Sequence, residues 1–287
     1  NQSTSQYGTI VALSESPINA NLLAIGTDDG LIHITEDGGS TWRKIDGIAG
    51  APSRSYVNSV YLSRHDENVM YAAFNHHKYG DFKPYLFRSN DKGSSWTKIS
   101  SDLPSKGSVY SIEEDHIDKD LIFCGTEYGV FFSPNKGQQW KEISSGLPTI
   151  AVRDIAIQER ENDLILGTFG RGFYILDDYS SLRSIENKEP EAEAILYPVR
   201  DALSWEVSLP LGLPKKSFQG DNYYSADNLG PEAIITYFYN DDYKSLKEIR
   251  NKKEKKAIKA GGDSPYPDYD PLKAELEVGE ASFLCAS

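Results

Sequence analysis

Thr35-Glu36-Asp37-Gly38-Gly39-Ser40-Thr41-Trp42 decides the fold, because the chain contains two further versions of this stretch. Ser89-Asn90-Asp91-Lys92-Gly93-Ser94-Ser95-Trp96 is the second and Ser133-Pro134-Asn135-Lys136-Gly137-Gln138-Gln139-Trp140 is the third. All three begin with a residue that carries a hydroxyl group, continue with Asp or Asn and then Gly, and end on Trp. A pattern that returns along a chain predicts a repeated structural unit.

The spacing of the repeat indicates the kind of unit. Trp42 and Trp96 are 54 residues apart, and Trp96 and Trp140 are 44 apart. These intervals bracket the period of about 40–50 residues that is typical of propeller blades. Short alternating runs joined by Gly-Thr turns surround each copy and predict strands. We therefore expect an all-β fold with four blade-like units, at about 8–50, 55–103, 107–148 and 151–178, the last without the Trp turn.

Each residue type in the turn has a structural interpretation. The Asp or Asn side chain is expected to bond its own backbone two residues further on. The Gly accepts a positive φ, the hydroxyl bonds the loop backbone, and the Trp packs down between strands. We interpret the motif as a structural staple made of Thr35, Asp37, Gly39, Trp42, Ser89, Asp91, Gly93, Trp96, Ser133, Asn135, Gly137 and Trp140.

Composition narrows the function classes. The 287 residues carry a net charge of −13, which argues against nucleic acid as a main partner. No run approaches the ~18 apolar residues of a membrane span, so no transmembrane segment is predicted. The 11% aromatic content, 23 Gly and 14 Pro favour a β-rich protein. Two cysteines cannot form a disulfide scaffold.

The repeated turn resembles the Asp-box, or bacterial neuraminidase repeat, and residues 8–180 resemble the sortilin-like Asp-box β-propellers often labelled glycosyl hydrolases. That class includes sialidases, xyloglucan-type hydrolases, sortilin-type receptors and photosystem assembly factors, so the resemblance leaves the activity open. It implies a secreted or cell-envelope bacterial protein with more than four blades, frequently followed by a fibronectin-III-like domain. No cofactor and no metal are implied.

The domain expectations follow from the point where the repeat stops. We predict propeller blades over 1–180, a linker over 181–193, and a partial β-sandwich-like domain over 194–287. That last region contains predicted strands at 194–197, 233–239 and near 282–284, and one helix over about 245–259 with a strong positive charge. Four blades are few, so we expect the C-terminal half of a larger propeller; a complete four-blade propeller is the alternative.

The longest insertion within a blade is Asn75–Phe82, and long loops on rigid scaffolds frequently carry function. His76 and His77 have the chemistry of metal ligands or proton carriers. The alternative is a polar loop that packs on the next blade through Tyr79 and Phe82. The predicted binding loop consists of His76, His77, Lys78, Tyr79, Asp81 and Phe82.

Catalytic residues cannot be assigned from the sequence. A glycosidase needs two carboxylates on either side of the scissile bond. Asp28, Asp29 and Asp81 are candidates, with turn chemistry as the alternative for the aspartates. Arg171 lies between two glycines and is the candidate cation, or else the partner of Asp177 or Asp178.

Two functions are consistent with these features. The first is a non-catalytic module that binds protein or glycan through its loops, with the remaining blades of the parent protein or another chain as its partner. The second is a glycoside hydrolase of the Asp-box type, with catalytic residues partly outside these 287 residues.

Overall fold

The structure is a computed structural model in which residues 7–185, 194–202, 204, 233–239, 246–262 and 268–278 are described. It separates into two compact units, Asn1–Glu189 and Pro190–Ser287. The division falls within the segment 181–193.

The described part of the first unit consists of four antiparallel sheets, each wound up and down in chain order. The first two sheets have four strands each: β1 Ile10–Glu15, β2 Leu23–Thr27, β3 Ile32–Thr35 and β4 Arg43–Ile45, then β5 Tyr56–Leu62, β6 Met70–His76, β7 Asp81–Ser89 and β8 Thr97–Lys98. The other two are β9 Val109–Glu114, β10 Ile122–Thr126, β11 Gly129–Ser133 and β12 Lys141–Ile143, then β13 Val152–Gln158, β14 Asp163–Thr168 and β15 Phe173–Leu176.

The sheets stack as the blades of a β-propeller. The first strands of successive sheets, β1, β5, β9 and β13, contact one another, so they line the inner edge of an arc. Each of three buried clusters lies between two adjacent sheets, and Phe74, Tyr71 and Phe123 are among their largest members. Burial of apolar surface between sheets therefore holds consecutive blades together. The predicted fold of all-β propeller blades is confirmed.

The three tryptophan turns, 35–42, 89–96 and 133–140, use one set of bonds. In the first, Asp37 accepts from Thr35 Oγ1 at 2.7 Å and from Thr41 N at 2.8 Å, while Thr35 Oγ1 accepts from Gly39 N at 2.9 Å. The carboxylate therefore closes the turn on the residue four positions on, and the expected bond two residues on is wrong. The bond from the backbone N–H two residues on, that of Asp37, goes instead to the hydroxyl of Thr35, the last residue of β3.

The three tryptophans differ in their packing. Trp42 is 42% exposed and its Nε1 donates to Gly39 O in its own turn, whereas Trp140 is 7% exposed and donates to Ile99 O of the preceding blade at 2.7 Å. The expectation that every Trp packs between strands is wrong for Trp42, because the first blade has no described blade before it. Gly137 has a φ of 86°, and a Cβ there would lie 2.7 Å from Ile99. The third turn therefore sits directly on its neighbour.

The fourth sheet ends differently, since its sequence contains no Trp turn. A 3₁₀ helix, Tyr179–Ser184, follows β15. Tyr179 N donates to Asn162 O, as Lys92 N donates to Asn68 O and Lys136 N to Asp120 O in the preceding sheets. The buried Tyr179 ring packs against Phe123 and takes the place of a tryptophan in sealing the last described blade.

Three consecutive acidic residues lie at the end of β9: Glu113 and Glu114 are its last residues, and Asp115 follows it. Glu114 accepts from Ser63 Oγ and Tyr71 OH at 2.6 and 2.8 Å, and Glu113 accepts from Tyr61 OH at 2.9 Å. Asp115 is fully buried and accepts two bonds from the Arg183 guanidinium and one from Tyr179 OH. This acidic run thus joins the second, third and fourth blades through charge-assisted bonds.

The second unit contains two strands and two α-helices in its described part. β16, Ala194–Leu196, pairs with β17, Tyr237–Tyr239, and helix α1 runs from Leu246 to Lys259. The expectation of a single helix is wrong, since helix α2 covers Tyr269–Val278. Pro271 lies in the first turn of this helix, where proline is tolerated. The strand predicted near 282–284 lies outside the described residues, and the fibronectin-III-like character remains a prediction.

Neither described helix is a membrane span. They contain 14 and 10 residues, and neither combines the length with the hydrophobicity that crossing a bilayer requires.

Candidate functional site

The turns that join the second and third strands of each blade lie at one end of the blades, which we call the hairpin end. It consists of the turns 27–31, 76–81, 126–129 and 168–172 and of the links that lead into β5, β9 and β13. The opposite end, which carries the tryptophan turns, is the tryptophan-turn end. Backbone bonds attach three of these hairpins to the start of their own inner strand. Asp28 N donates to Thr9 O, Glu127 N to Ser108 O and Phe169 N to Ala151 O, at 2.9–3.1 Å. Side chains on these hairpins are therefore displayed from a rigid base.

The predicted catalytic aspartates lie at this end but bond within it. Asp28 accepts from Gly8 N and Thr9 N at 2.8 and 2.9 Å. Asp29 accepts from Thr27 Oγ1, and Asp81 accepts from Tyr85 OH at 2.6 Å. The bond from Tyr85 holds the pKa of Asp81 below its usual range. Asp29 and Asp81 thus accept bonds within their own hairpins, and Asp28 accepts bonds from the link that leads into β1.

The predicted binding loop is a shorter feature than the sequence suggested. Its extra residues lengthen β6 and β7 to 7 and 9 residues, against 5 each for β10 and β11. His77, Lys78 and Tyr79 form a single 3₁₀ turn. The His76 ring stacks on Tyr79 with centroids 4.4 Å apart, and its Nδ1 lies 3.2 Å from Ser55 Oγ.

Tyr79 and Phe82 do not pack on the next blade as expected, since 57% and 52% of their surfaces are exposed. Tyr79 is occupied by His76 of its own hairpin, while the contact between Phe82 and the next link is a backbone bond from Gly107 N. More than half of each side chain is consequently open to a ligand, although His76 covers one face of the Tyr79 ring.

A shallow pocket between the first two blades brings some of the predicted residues together. It has room for about one water molecule. Lys78 lies over the Tyr56 ring at 5.8 Å within this wall. The pocket is lined by Tyr7, Asp28, Arg54, Tyr56, Asn75, His76, Lys78 and Tyr79. Asp29, His77, Asp81, Phe82 and Arg171 are not part of it.

A second cluster was missed by the sequence reasoning. The Arg153 guanidinium carbon lies 3.7 Å from the Tyr110 ring centroid and 5.2 Å from that of Phe169. Tyr110 OH donates to Glu127, and burial together with this bond raises the pKa of Tyr110 to about 12. The arginine is thus stacked between an aromatic residue of the third blade and one of the fourth.

A register shift places these side chains. Every inner strand has a β-bulge near its start, which leaves Val11, Asn58, Tyr110 and Arg153 at equivalent positions. Bulges redirect side chains and are frequent beside functional sites. Aligning the repeats on the first strand, instead of on Trp, brings out this position as one where the residue type changes from blade to blade.

Exposed aromatic rings continue along the whole hairpin end. Every described blade presents at least one such ring, from its hairpin, its link or an adjacent strand. They are Tyr7, Tyr79, Phe82, Tyr128 and Phe169. Flat exposed rings with stacked cations between them suit a surface that binds an extended partner.

Among the residues that the structure describes, no group of three or more His, Cys, Asp or Glu side chains is arranged to hold a metal ion. What the hairpin end offers is aromatic faces, guanidinium and ammonium groups, and carboxylates already engaged by hydroxyl and amide groups.

No protein-family profile and no curated protein matches the sequence. Solved structures that resemble this chain include an ancestral GH74 enzyme (22% identity, TM-score 0.45, 56% of this chain and 22% of that one) and the GH74 enzyme of Niastella koreensis (13%, 0.48, 60% and 29%). YCF48 bound to a D1 peptide is another (17%, 0.46, 60% and 52%). The chain spans less than a third of the length of these two enzymes. Similarity of this degree carries no function from one chain to another.

Proposed function

We propose that this chain is part of a non-catalytic, secreted or cell-envelope β-propeller module that binds a protein or a glycan through its hairpin end. The observation that carries the proposal is the Tyr110–Arg153–Phe169 stack within a surface that exposes an aromatic ring from every described blade. The aspartates of that surface accept hydrogen bonds from their own hairpins or from the link into β1. The placement outside the cytoplasm rests on the family resemblance, and fractionation of the source cells tests it.

The two outer blades indicate a second kind of partner. Leu13 of the first blade and Phe173 and Ile175 of the fourth are large apolar side chains that stay exposed on strands. Apolar sheet faces of this kind are normally covered. We assign them to further blades of the parent protein or to another chain.

Binding to an array of plant and host polysaccharides, and to immobilised extracellular proteins, tests the main proposal. Phe169→Ala is the probe variant, because its side chain is 68% exposed beside Arg153. Ile117→Ala is the matched control, since Ile117 is 63% exposed at the opposite end of the blades. We expect Phe169→Ala to weaken binding by roughly tenfold and Ile117→Ala to leave it unchanged. Equal effects of the two variants would contradict a binding role for the hairpin end.

The rival function is a glycoside hydrolase, and turnover separates it from the proposal. Each polysaccharide that binds is incubated with the protein and with its Asp28→Asn and Asp81→Asn variants. We expect no release of reducing ends by any of them. Hydrolysis by the parent protein that disappears in one aspartate variant would establish the rival function.

A further inference from the structure

We propose that the ligand of the hairpin end is a carboxylated polysaccharide, a chain of uronic acid units whose carboxylates contact Arg153 and neighbouring cations while its sugar rings lie on the exposed aromatic faces. This inference rests on the binding role proposed above and adds the chemical class of the ligand.

Cations without an anionic partner are concentrated at this end. Arg54 and Lys78 line the same pocket, Lys83 and Lys106 flank the backbone bond between Phe82 and Gly107, and Arg153 and Arg171 flank Phe169. Within the described residues, none of these six cations forms an ion pair. Such a row is unexpected in a chain of net charge −13 and points to an anionic ligand.

The carboxylates of the same surface are in a different situation. Asp29 and Asp81 accept bonds from their own hairpins, Asp28 accepts from the link into β1, and Glu127 accepts from the hydroxyl of Tyr110. Hydroxyl and amide donors satisfy these acceptors without neutralising any cation. The carboxylates keep their negative charge, and the guanidinium and ammonium groups beside them keep N–H donors that a ligand carboxylate can use.

The side chain of Arg153 is held in a way that favours binding of a carboxylate. Its guanidinium carbon lies 3.7 Å from the Tyr110 ring centroid and 5.2 Å from that of Phe169, so the two rings restrain the group. A guanidinium held in this way can give two parallel bonds to one carboxylate with little further loss of entropy. Arg153 is accordingly the residue that we expect to determine specificity for the acid form of the ligand.

The shape of the surface favours a sugar chain over an acidic peptide. Peptide anchors fill pockets, whereas the pocket described between the first two blades has room for about one water molecule. A pyranose ring needs only a flat aromatic face, because its axial C–H groups approach the negative face of the ring system. Exposed rings recur along the blades at this end, as a chain of repeated sugar units requires.

The test uses the full 287-residue chain, calorimetric titration at low salt, and polygalacturonate as the probe, with the fully methyl-esterified polymer as its neutral match. We expect the acid form to bind at least about tenfold more tightly than the ester, and to weaken as salt rises. Arg153→Gln should lose about tenfold in affinity for the acid form, and Arg153→Lys should fall between the two because a lysine cannot give the paired bonds. Glu127→Gln, which keeps an acceptor for Tyr110, should tighten binding by removing the nearest negative charge.

Arg160→Gln is the matched control, since Arg160 is an exposed arginine at the opposite end of the blades and pairs with Glu161 at 2.8 Å. It should bind polygalacturonate like the parent chain. Equal binding of acid and ester, equal losses for Arg153→Gln and Arg160→Gln, or tighter binding of poly-glutamate than of polygalacturonate would each overturn the inference. If another ligand binds and depends on Phe169 while polygalacturonate does not bind, the proposed function stands and this inference fails. If no ligand depends on Phe169, both fail.

Discussion

The two ends of the blades are built from similar residue types in different ways. All the described ion pairs that join two different turns of the first unit lie at the tryptophan-turn end. They include Arg64 with Glu159 and Arg183 with Asp115, both at 2.7 Å. At the hairpin end, Arg153 and Lys78 lie on aromatic rings instead. Charges that neutralise each other hold the blades together, and charges that are left over can bind a partner.

The largest difference in stability between the two ends is expected at Asp115 and Asp81. Asp115→Asn leaves the nearly buried Arg183 without its counter-charge, which costs about 3–5 kcal/mol in the free energy of unfolding. Asp81→Asn, at the hairpin end, removes an acceptor on the surface and should cost less than about 1 kcal/mol. Urea unfolding of the two variants measures both values. A larger loss for Asp81→Asn would contradict the contrast between the ends.

The interior near the tryptophan-turn end is also expected to set the pH dependence. Burial raises the pKa of Glu113 from 4.5 to about 7. The bond from Tyr61 and the charge of Arg64 lower this pKa, while the charges of Glu114 and Asp154 raise it further. The folded state therefore holds a proton that the unfolded chain releases, so the contribution of Glu113 to stability is fully present below pH 4.5 and is lost as pH rises to 7. The loss over this range is about 3 kcal/mol.

Glu113→Gln should abolish this slope, because a glutamine stays neutral at every pH. The measurement is the free energy of unfolding of both proteins between pH 5 and pH 8. A parent protein whose stability is flat or rises across this range would show that Glu113 is not buried as described.

A smaller effect separates two tryptophan turns. Trp140→Phe removes the bond to Ile99 O of the preceding blade and leaves a small cavity, which should cost about 2 kcal/mol. Trp42→Phe removes a bond within an exposed turn and should cost about 0.5 kcal/mol. Thermal unfolding compares them. If further blades or another chain cover the first blade in the parent protein, the cost at Trp42 should increase there.

The smallest expected effect concerns Asp37. Bonds from Thr41 and Thr35 lower its pKa to about 2, so the ionised carboxylate stabilises the fold above pH 3.8 and this contribution is lost as pH falls towards 2. Asp37→Asn should remove that acid dependence and change little at pH 7, because Asn135 closes the third turn with the same bond to the backbone. Melting temperatures at pH 3 and pH 7 test this.

The repeated residues made the fold predictable and left the site hidden. Thr35, Asp37, Gly39 and Trp42 recur at fixed spacing, so their role in a turn followed from the sequence. Tyr110 and Arg153 share one structural position and differ in type, and only the bulges show that they correspond. The two residues stack on each other from adjacent blades and are 43 residues apart in the chain, so no local sequence pattern encodes their contact.

Other differences also have physical causes. Tyr179 replaces a tryptophan through a backbone bond to Asn162, and a search for the repeated motif does not find it. The binding loop Asn75–Phe82 looked long because strands β6 and β7 extend past the length of their counterparts. Strand extension and loop insertion have the same effect on repeat spacing, so the sequence could not separate them.

Hydrogen–deuterium exchange of the chain with and without polygalacturonate tests the central claim most directly. We predict slower exchange on binding at the hairpin end, in 76–82, 126–129 and 168–172, and unchanged exchange in the tryptophan turns 35–42, 89–96 and 133–140. Slower exchange in the tryptophan turns with none at the hairpin end would contradict the assignment of binding to one end and blade assembly to the other.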